Sequence, residues 1–286
     1  MRNASRQTLL YTAFLLLFSS PFYWYVIRHH NMPTLLVLAL MWSPACAGLL
    51  TSRLFRIPIR RIGWRIGGAK WIAAAFFIPL AYSAVAYGIL WASGLAGVPN
   101  HQFLALMAQR LHIPHASTGE LIVLLALLSG VVATFTISIV GCLGEEIGWR
   151  GFLVPTLTPQ LGWVRTSLLV GFIHALWHYP LIFAGPYHGA GPLWYSAACF
   201  TVIVMAISFI FSWLRLGSGS VWPCVIMHAS HDDWIQGFFT PLTVQTAHTK
   251  WWMDDFGAML VIMTVLSTTC LLVYVARSRR ATSWVI

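Results

Sequence analysis

Two adjacent glutamates and an arginine stand together in GCLGEEIGWRGF, residues 141–152. On a helix, Glu146 and Arg150 lie four residues apart on one face, with the acid N-terminal to the base, which is the favourable direction for an ion pair. Glu145 points about 100° away and lacks this partner. A free carboxylate that is partly removed from water is suited to act as a general base near neutral pH. The motif therefore predicts a structural pair and one reactive carboxylate, unless all three charges merely mark the end of a span in the headgroup region.

Two later apolar segments also carry polar groups at helical spacing. In GFIHALWHYPL, His174 and His178 are four residues apart, and in VIMHASHDDW the same spacing separates His228 and Asp232, with His231 between them. A single histidine in an apolar helix is usually a hydrogen-bonded core residue. Polar groups are unfavourable in lipid, and here they occur in three separate apolar segments. This pattern therefore predicts that the three segments share one polar cavity.

The composition indicates whether these groups belong to a soluble protein or to a membrane protein. Of 286 residues, 58% are hydrophobic and only 8% are charged, whereas a soluble domain carries about 25% charged residues. We therefore interpret residues 1–286 as one polytopic membrane domain, with a motif-bearing core over residues 120–240. No basic groove with interleaved aromatics accompanies the net charge of +10, so a nucleic-acid partner is not expected. The five cysteines are scattered without a CxxC pair, which is typical of packing residues.

Eight apolar segments approach the roughly 20 residues that a spanning helix needs. They lie near residues 8–28, 34–52, 70–95, 121–144, 163–184, 193–214, 219–239 and 256–276. The pattern predicts an all-α fold of about eight transmembrane helices, the first being an anchor and not a cleaved signal. Glu145 lies deep only if the fourth span continues to about residue 152, so we predict that it does, with a break near Gly141 and Gly144.

The basic residues indicate the orientation. With eight spans, 14 of the Lys and Arg residues share a side with both termini and 3 lie opposite, which favours cytoplasmic termini and suggests a bacterial inner membrane. The larger set is Arg2, Arg6, Arg53, Arg56, Arg60, Arg61, Arg65, Lys70, Arg150, Arg165, Arg215, Arg277, Arg279 and Arg280; the smaller is Arg28, Arg110 and Lys250. The loop at 53–70 could lie on anionic headgroups, and residues 99–117 could form an interfacial amphipathic helix.

The three motifs together resemble those of the CPBP family, which includes CAAX prenyl endopeptidases and bacteriocin-processing (Abi) proteins. EEIGWR matches its EExxxR motif, HALWHYPL resembles its second motif, and HASHD resembles its third, HxxxN or HxxxD. The motifs occur in family order across roughly residues 120–240. The resemblance implies an intramembrane endopeptidase of eight helices, whose peptide or protein substrate reaches the site from the bilayer.

Specific roles follow from that resemblance. It implies that Glu145 and His178 activate water, that Glu146 and Arg150 hold the helix, and that His228 and Asp232 stabilise the oxyanion or help to coordinate a metal. Asp232 departs from the family, since many members have Asn there, and an ionised carboxylate cannot donate to an oxyanion. Glu145, His178, His228 and Asp232 could together hold zinc or another divalent metal, although no HExxH motif is present.

Other interpretations stay open at this stage. A non-proteolytic immunity or scaffold protein on the same fold is the main alternative, and a proton-coupled carrier is a further one, although no repeated halves are present. His174 occupies the aromatic position of the second motif, either as an extra cavity residue or as a hydrogen-bond partner for a neighbour. We place Asp233 at the cavity mouth or just behind it, and we expect Asp254 and Asp255 to mark a helix start in solvent. The function of His231 is left undetermined.

Overall fold

The computed structural model describes residues 2–278, and the regular secondary structure in this range is helical. Within that range the only β-type pairing is a single bridge between Gly97 and Val244. The α-helices are α1 (Arg2–His29), α2 (Thr34–Met41), α3 (Ser43–Leu54), α4 (Ala69–Ala92), α5 (His101–Arg110), α6 (Thr118–Leu125), α7 (Ser138–Glu146), α8 (Val154–Ala184), α9 (Leu193–Ser218), α10 (Trp222–Asp232), α11 (Thr240–Leu242), α12 (Thr249–Trp252) and α13 (Ala258–Arg277). Two short 3₁₀ turns, Ile59–Ile62 and Asp254–Phe256, lie in loops.

Three π-helical segments interrupt the α-helices around the motifs. They are π1 (Ala126–Ala133), π2 (Ile147–Leu153) and π3 (Asp233–Phe239). In a π-helix the backbone hydrogen bonds join residues five apart instead of four, and such segments are rare and frequently lie at functional sites. The first and third motifs each run directly into one of them.

The prediction of an all-α polytopic membrane protein is confirmed. Six helical stretches in the described part of the chain are long and apolar enough to cross a membrane. The count differs from the predicted eight for two reasons. The turn at residues 136–137 leaves only a shorter apolar helix, Thr118–Ala133, in the fourth predicted span. The span expected near 219–239 contains the polar residues of the third motif and is not among the six. One stretch of 47 residues, Ser138–Ala184, combines the end of the fourth predicted span with the whole of the fifth. Gly162 kinks it, with a φ of 70° that favours glycine. Arg279 and Arg280 lie outside the described residues.

The fourth span continues beyond residue 152, as predicted, but its break lies elsewhere. Gly141 and Gly144 are inside α7, and the break is a turn at residues 136–137. A Cβ on Gly144 would lie 2.7 Å from the Met41 carbonyl oxygen, and one on Gly148 would lie 2.6 Å from Pro44. These glycines therefore allow close contact between α7–π2 and the α2–α3 pair, and do not interrupt the helix.

Asp233 connects π3 to the fourth predicted span, which is interrupted at residues 136–137. Its carboxylate accepts hydrogen bonds from the hydroxyls of Thr134, at 3.0 Å, and Ser138, at 2.9 Å, on the two sides of the break. Gly130 allows Trp234 to pack here, because a Cβ on that glycine would lie 2.3 Å from the indole. Asp233 is thus a link between two interrupted helices, and it does not line the cavity described below.

The loop between α3 and α4 folds over the end of π2. Ile62 is buried there against Ile147 and Val225. Arg61 donates to the Pro155 carbonyl at 2.6 Å, and its own carbonyl accepts a hydrogen bond from Arg215 of α9 at 2.6 Å. Arg215 also donates to the Arg150 carbonyl at 2.9 Å, so it links this loop to the first motif. Part of this basic loop therefore supports the first motif, while its remaining arginines are exposed.

Candidate functional site

The three motif-bearing segments converge on one cavity of about 150 Å³. Its polar lining consists of Glu145, His174, His178, His228, His231, Asp232, Gln236 and Asp255. The remaining lining is mostly apolar. It includes Leu40 and Trp177, which belong to one buried hydrophobic cluster, and Phe211, which belongs to another. The shared polar cavity that the spacing of the motifs predicts is therefore present.

Glu145 is buried, with 2% of its surface exposed. Its Oε2 accepts a hydrogen bond from the indole of Trp149 at 3.2 Å and lies 3.1 Å from Nε2 of His174. Glu145 is not paired with Arg150, as predicted, but it is not a free carboxylate, because the side chain at i+4 and a histidine from α8 both reach it. Both contacts use Oε2, so they orient the carboxylate while Oε1 is not engaged by either.

Glu146 and Arg150 form the predicted ion pair, with 2.8 Å between Oε1 and Nη1, and both side chains are fully buried. The same Oε1 lies 2.9 Å from Nδ1 of His228, which joins the first motif to α10. The Arg150 guanidinium also stacks over the ring of Phe211, 3.8 Å from its centroid. Neither Glu146 nor Arg150 lines the cavity, so they support its wall from behind.

The two histidines of α8 are held in different ways. His178 is oriented by its own helix, since Nδ1 lies 3.1 Å from the carbonyl oxygen of His174. In the neutral ring, that hydrogen bond requires the proton on Nδ1, so Nε2 keeps a lone pair. His174 stacks on Trp149, with 4.8 Å between ring centroids, and contacts Glu145. His174 fills both roles considered for it, since it lines the cavity and is a hydrogen-bond partner of Glu145.

His228 lies between two carboxylates of different segments. Its Nδ1 contacts Glu146, whereas its Nε2 lies 3.7 Å from Oδ2 of Asp232, which is beyond hydrogen-bond distance. The predicted i,i+4 arrangement thus brings these two side chains together without a direct bond. Nε2 and the Asp232 carboxylate are both at the cavity and available to another group.

A second polar group, which the sequence interpretation did not find, lines the same cavity. Nε2 of His231 lies 3.0 Å from Oδ1 of Asp255, and Gln236 donates to Oδ2 at 2.8 Å. The other ring nitrogen of His231 contacts the hydroxyl of Tyr82 on α4. The expectation that Asp255 marks a helix start in solvent is wrong, because it is 3% exposed and faces inward. Two acids just before a span look like a solvated helix start, and only the fold of the preceding loop turns one of them inward.

Asp255 is ionised despite its burial. Burial alone would raise the pKa of this carboxyl, but the attraction of His231 and the hydrogen bonds from His231 and Gln236 together lower its pKa below the usual value. Its neighbour Asp254 behaves differently. Burial and the adjacent Asp255 charge raise the pKa of Asp254 to about 7, against a hydrogen bond from the Phe256 backbone amide.

Two groups of potential metal ligands border the cavity. One is Glu145, His174 and His178, and the other is Cys142, His228 and Asp232; within each group the donor atoms lie within 4.8 Å of one another. The four ligands predicted from the sequence are thus divided between the two groups. A glutamate with two histidines is a ligand set of catalytic zinc sites, and the His178 ring is already oriented through its other nitrogen, as metal-binding histidines usually are.

The fold and the site define an α-helical membrane protein whose buried glutamates and histidines surround an internal cavity. The family described as type II CAAX prenyl endopeptidase, Rce1-like, matches residues 127–233, which include all three motifs. The CAAX prenyl protease 2 of Methanococcus maripaludis is 30% identical over 76 residues, a segment that covers 25% of this chain and 28% of that relative. Residues 127–233 are thus similar to type II CAAX prenyl endopeptidases, in keeping with the resemblance that the motifs indicate.

Proposed function

We propose that the protein is an intramembrane endopeptidase that hydrolyses a peptide bond with a water activated by Glu145 and His178. The observation that carries this proposal is the meeting of Glu145, His178, His228 and Asp232 at one buried cavity. Catalysis of hydrolysis requires a base for the water, donors for the oxyanion and an acid for the leaving amine. The groups at this cavity are chemically able to fill all three roles.

In the proposed mechanism, Glu145 removes a proton from water while Nε2 of His178 accepts a hydrogen bond from its other proton. The water oxygen then attacks the carbonyl carbon of the substrate and forms a tetrahedral oxyanion. Glu145 finally returns its proton to the leaving amine as the C–N bond breaks, so the products are a carboxylic acid and an amine. His174 and Trp149 position the Glu145 carboxylate through their contacts with Oε2.

Oxyanion stabilisation is assigned to His228 with Asp232. Protonated at both nitrogens, His228 would donate from Nδ1 to Glu146 and from Nε2 to the oxyanion. Asp232, 3.7 Å from Nε2, would orient the ring unless it is itself protonated and donates. Glu146 and Arg150 hold the motif in place and do not touch the substrate in this scheme.

The donor set also fits a metal-assisted variant of this function. Glu145, His174 and His178 would hold the ion, with His228 and Asp232 nearby as alternative ligands. Zinc or another divalent ion bound there would lower the pKa of a coordinated water and polarise the scissile carbonyl. Glu146 and Arg150 would still hold the motif in place behind the cavity wall.

The substrate would be a peptide or protein that enters from the bilayer, in keeping with the apolar side chains around the cavity. We place the catalytic core in residues 120–240 of a single membrane domain spanning 1–286. The bacteriocin-processing (Abi) branch of the family and the CAAX prenyl proteases are both consistent with the motifs.

The decisive experiment is cleavage of a quenched peptide library by detergent-purified protein. Glu145→Gln should lower kcat/KM by at least about 100-fold, because it removes the general base while preserving shape. Glu120→Gln is the matched control: this exposed glutamate closes the capping box of α6, and Gln also serves at that position. It should cleave within about twofold of the unmodified protein.

Equal cleavage by the Glu145→Gln variant and the unmodified protein would refute the mechanism. If neither protein cleaves any member of the library, the peptidase assignment loses its basis in favour of a non-proteolytic role. Loss of activity with a chelator and recovery with zinc would select the metal-assisted variant.

A further inference from the structure

The basic loop, residues 53–70 between α3 and α4, carries charge that the chain does not neutralise. Its charged side chains are all exposed cations: Arg53, Arg56, Arg60, Arg61, Arg65 and Lys70. No aspartate or glutamate occurs before Glu120 in the sequence. Within residues 2–278, the ion pairs to carboxylates involve only Arg150 and three histidines. The counter-charge for the basic loop must therefore come from outside the protein.

The position of the basic loop indicates which anion is at hand. The loop joins two stretches that are long and apolar enough to cross a membrane, Thr34–Leu54 and Ala69–Ala92, so it lies at the bilayer surface. Large apolar side chains are exposed among its cations: Leu54, Ile59, Trp64 and Ile66. Cations interleaved with apolar groups fit the headgroup region, where the cations meet lipid phosphates and the apolar groups reach the acyl boundary. A soluble anion would account for the cations alone.

The opposite face of the basic loop binds the start of α10, the helix of the third motif. The carbonyl of Gly63 accepts a hydrogen bond from the Val221 amide at 2.9 Å, and the carbonyl of Trp64 accepts one from the Trp222 indole at 2.9 Å. Gly63 has a φ of 85°, and a Cβ there would lie 2.5 Å from the Gly219 carbonyl oxygen. Only glycine allows the loop to approach α10 so closely.

The same loop also binds the end of the first motif. Arg61 donates to the Pro155 carbonyl at 2.6 Å, just after π2. Arg215 donates to the carbonyls of both Arg61 and Arg150, at 2.6 and 2.9 Å. The basic loop is thus a bridge on the outside of the protein between the first and third motifs, whose side chains meet at the cavity.

We propose that the outer face of the basic loop binds the headgroups of anionic phospholipids, and that bound lipid stabilises the contacts by which the loop holds the first and third motifs together. Several like charges on one short loop repel one another, and lipid phosphates would compensate them. A ligand that binds the docked form of the loop stabilises that form. The effect on cleavage rests on the proposed function, whereas the lipid binding does not.

Two combined variants of the full chain test the surface. The test variant neutralises three cations of the loop whose side chains take part in none of the contacts above: Arg56→Gln, Arg60→Gln and Arg65→Gln. The control variant removes the same charge from three exposed positions outside the loop: Arg28→Gln, Arg110→Gln and Lys250→Gln. Glutamine keeps a polar side chain at every position, so the backbone contacts of the loop are preserved.

Native mass spectrometry of the detergent-solubilised proteins, titrated with phosphatidylglycerol or phosphatidylcholine, measures the binding. Each surface cation contributes roughly fivefold, so the test variant should bind phosphatidylglycerol about tenfold or more weakly than the unmodified protein. The control variant should bind it within about threefold of the unmodified protein. Equal binding by the test variant, or equal affinity for the two lipids, would overturn the proposal. Binding of glycerol phosphate as tight as that of the lipid would assign the surface to a soluble anion instead.

Hydrogen exchange of the segment around Val221 measures the effect on the bridge, because the Val221 amide donates to the basic loop. In nanodiscs with about one third phosphatidylglycerol, this exchange should be at least about threefold slower than in phosphatidylcholine alone, and kcat/KM should rise in parallel. The test variant should show neither response, whereas the control variant should show both.

The two readouts separate this inference from the proposed function. Exchange that slows with phosphatidylglycerol in a protein that cleaves no peptide would support the inference and contradict the peptidase mechanism. Cleavage with exchange that does not respond to phosphatidylglycerol would overturn the inference and leave the mechanism standing.

Discussion

At the level of single residues, the site depends on charges that have no contact with water. Glu146 and Arg150 are fully buried, and each also contacts another group: Glu146 meets His228, and Arg150 stacks on Phe211. Such a pair contributes little over a well-packed apolar pair, but losing one partner leaves the other charge uncompensated. The pair should therefore matter more for the integrity of the fold than for the reaction itself.

Arg150→Met tests this view of the ion pair. We expect a loss of about 3–5 kcal/mol in the free energy of unfolding, since Glu146 would stay buried with only His228 beside it. Thermal unfolding in detergent measures the effect, and Arg165→Met on the exposed face of α8 is the control, which should unfold close to the unmodified protein. An Arg150→Met variant as stable as that control would show that the pair is dispensable.

Residue spacing predicted some of these contacts and missed others for a physical reason. The Glu146–Arg150 pair and the grouping of His178 with Glu145 follow from i,i+4 positions and from the cost of polar groups in lipid. The contacts of Glu145 with His174 and of His231 with Asp255 join different helices. No local pattern encodes the rotation of one helix against another, so these partners could be found only in the folded structure.

At the level of elements, the turn before α13 carries the two acids with opposite behaviour. Asp254 has a positive φ of 60°, and its Oδ1 accepts a hydrogen bond from the Phe256 amide. Its pKa of about 7 in the folded protein lies above the value of about 3.9 expected when unfolded. The folded state therefore binds this proton more tightly, so the contribution of Asp254 to stability is present at low pH and declines as the pH rises from about 4 to about 7.

A pH series of thermal unfolding should reveal this linkage. Between pH 5 and pH 8 the unmodified protein should lose on the order of 2 kcal/mol more stability than Asp254→Asn, which has no charge to bury and can keep the hydrogen bond to Phe256. The substitution should therefore raise stability at pH 8 relative to the unmodified protein. Parallel pH profiles for the two proteins would contradict the assignment.

Helix existence was predictable at this scale, but helix continuity was not. Apolar length identifies most spans, because a span needs about 20 apolar residues whatever it packs against. The glycines of α7 look like a break and are in fact positions of close packing against Met41 and Pro44. The real interruption at residues 136–137 is fixed by the hydroxyl contacts of Asp233, which come from a segment almost 100 residues away.

At the level of the whole molecule, the distribution of charge predicts how the protein lies in its membrane. The exposed arginines between α3 and α4 should face the cytoplasm, and Lys250, just before the turn that carries Asp255, should face the opposite side. This orientation would open the Asp255 end of the cavity wall away from the cytoplasm. Composition alone predicts the all-α membrane fold, whereas the cavity depends on how the helices pack.

Cysteine labelling in intact cells tests the orientation. In a background without the five native cysteines, Lys250→Cys should react with a membrane-impermeant maleimide and Arg65→Cys should not, although both positions are exposed. Permeabilised cells, in which both should react, provide the control. Labelling of Arg65→Cys alone before permeabilisation would invert the proposed orientation.

The π-helical segments have a consequence for comparing this chain with its relatives. Each turn that closes from residue i to i+5 behaves like a single-residue insertion in an α-helix. Arg61 donates a hydrogen bond to the carbonyl of Pro155, which follows π2. A relative with a regular α-helix in place of π2 would need one residue fewer in this region to keep the equivalent of Pro155 on the same face of the helix. Alignments that keep EExxxR in register should therefore show a one-residue gap shortly after the motif in such relatives, and the gap would mark a change of helical winding and not a missing loop.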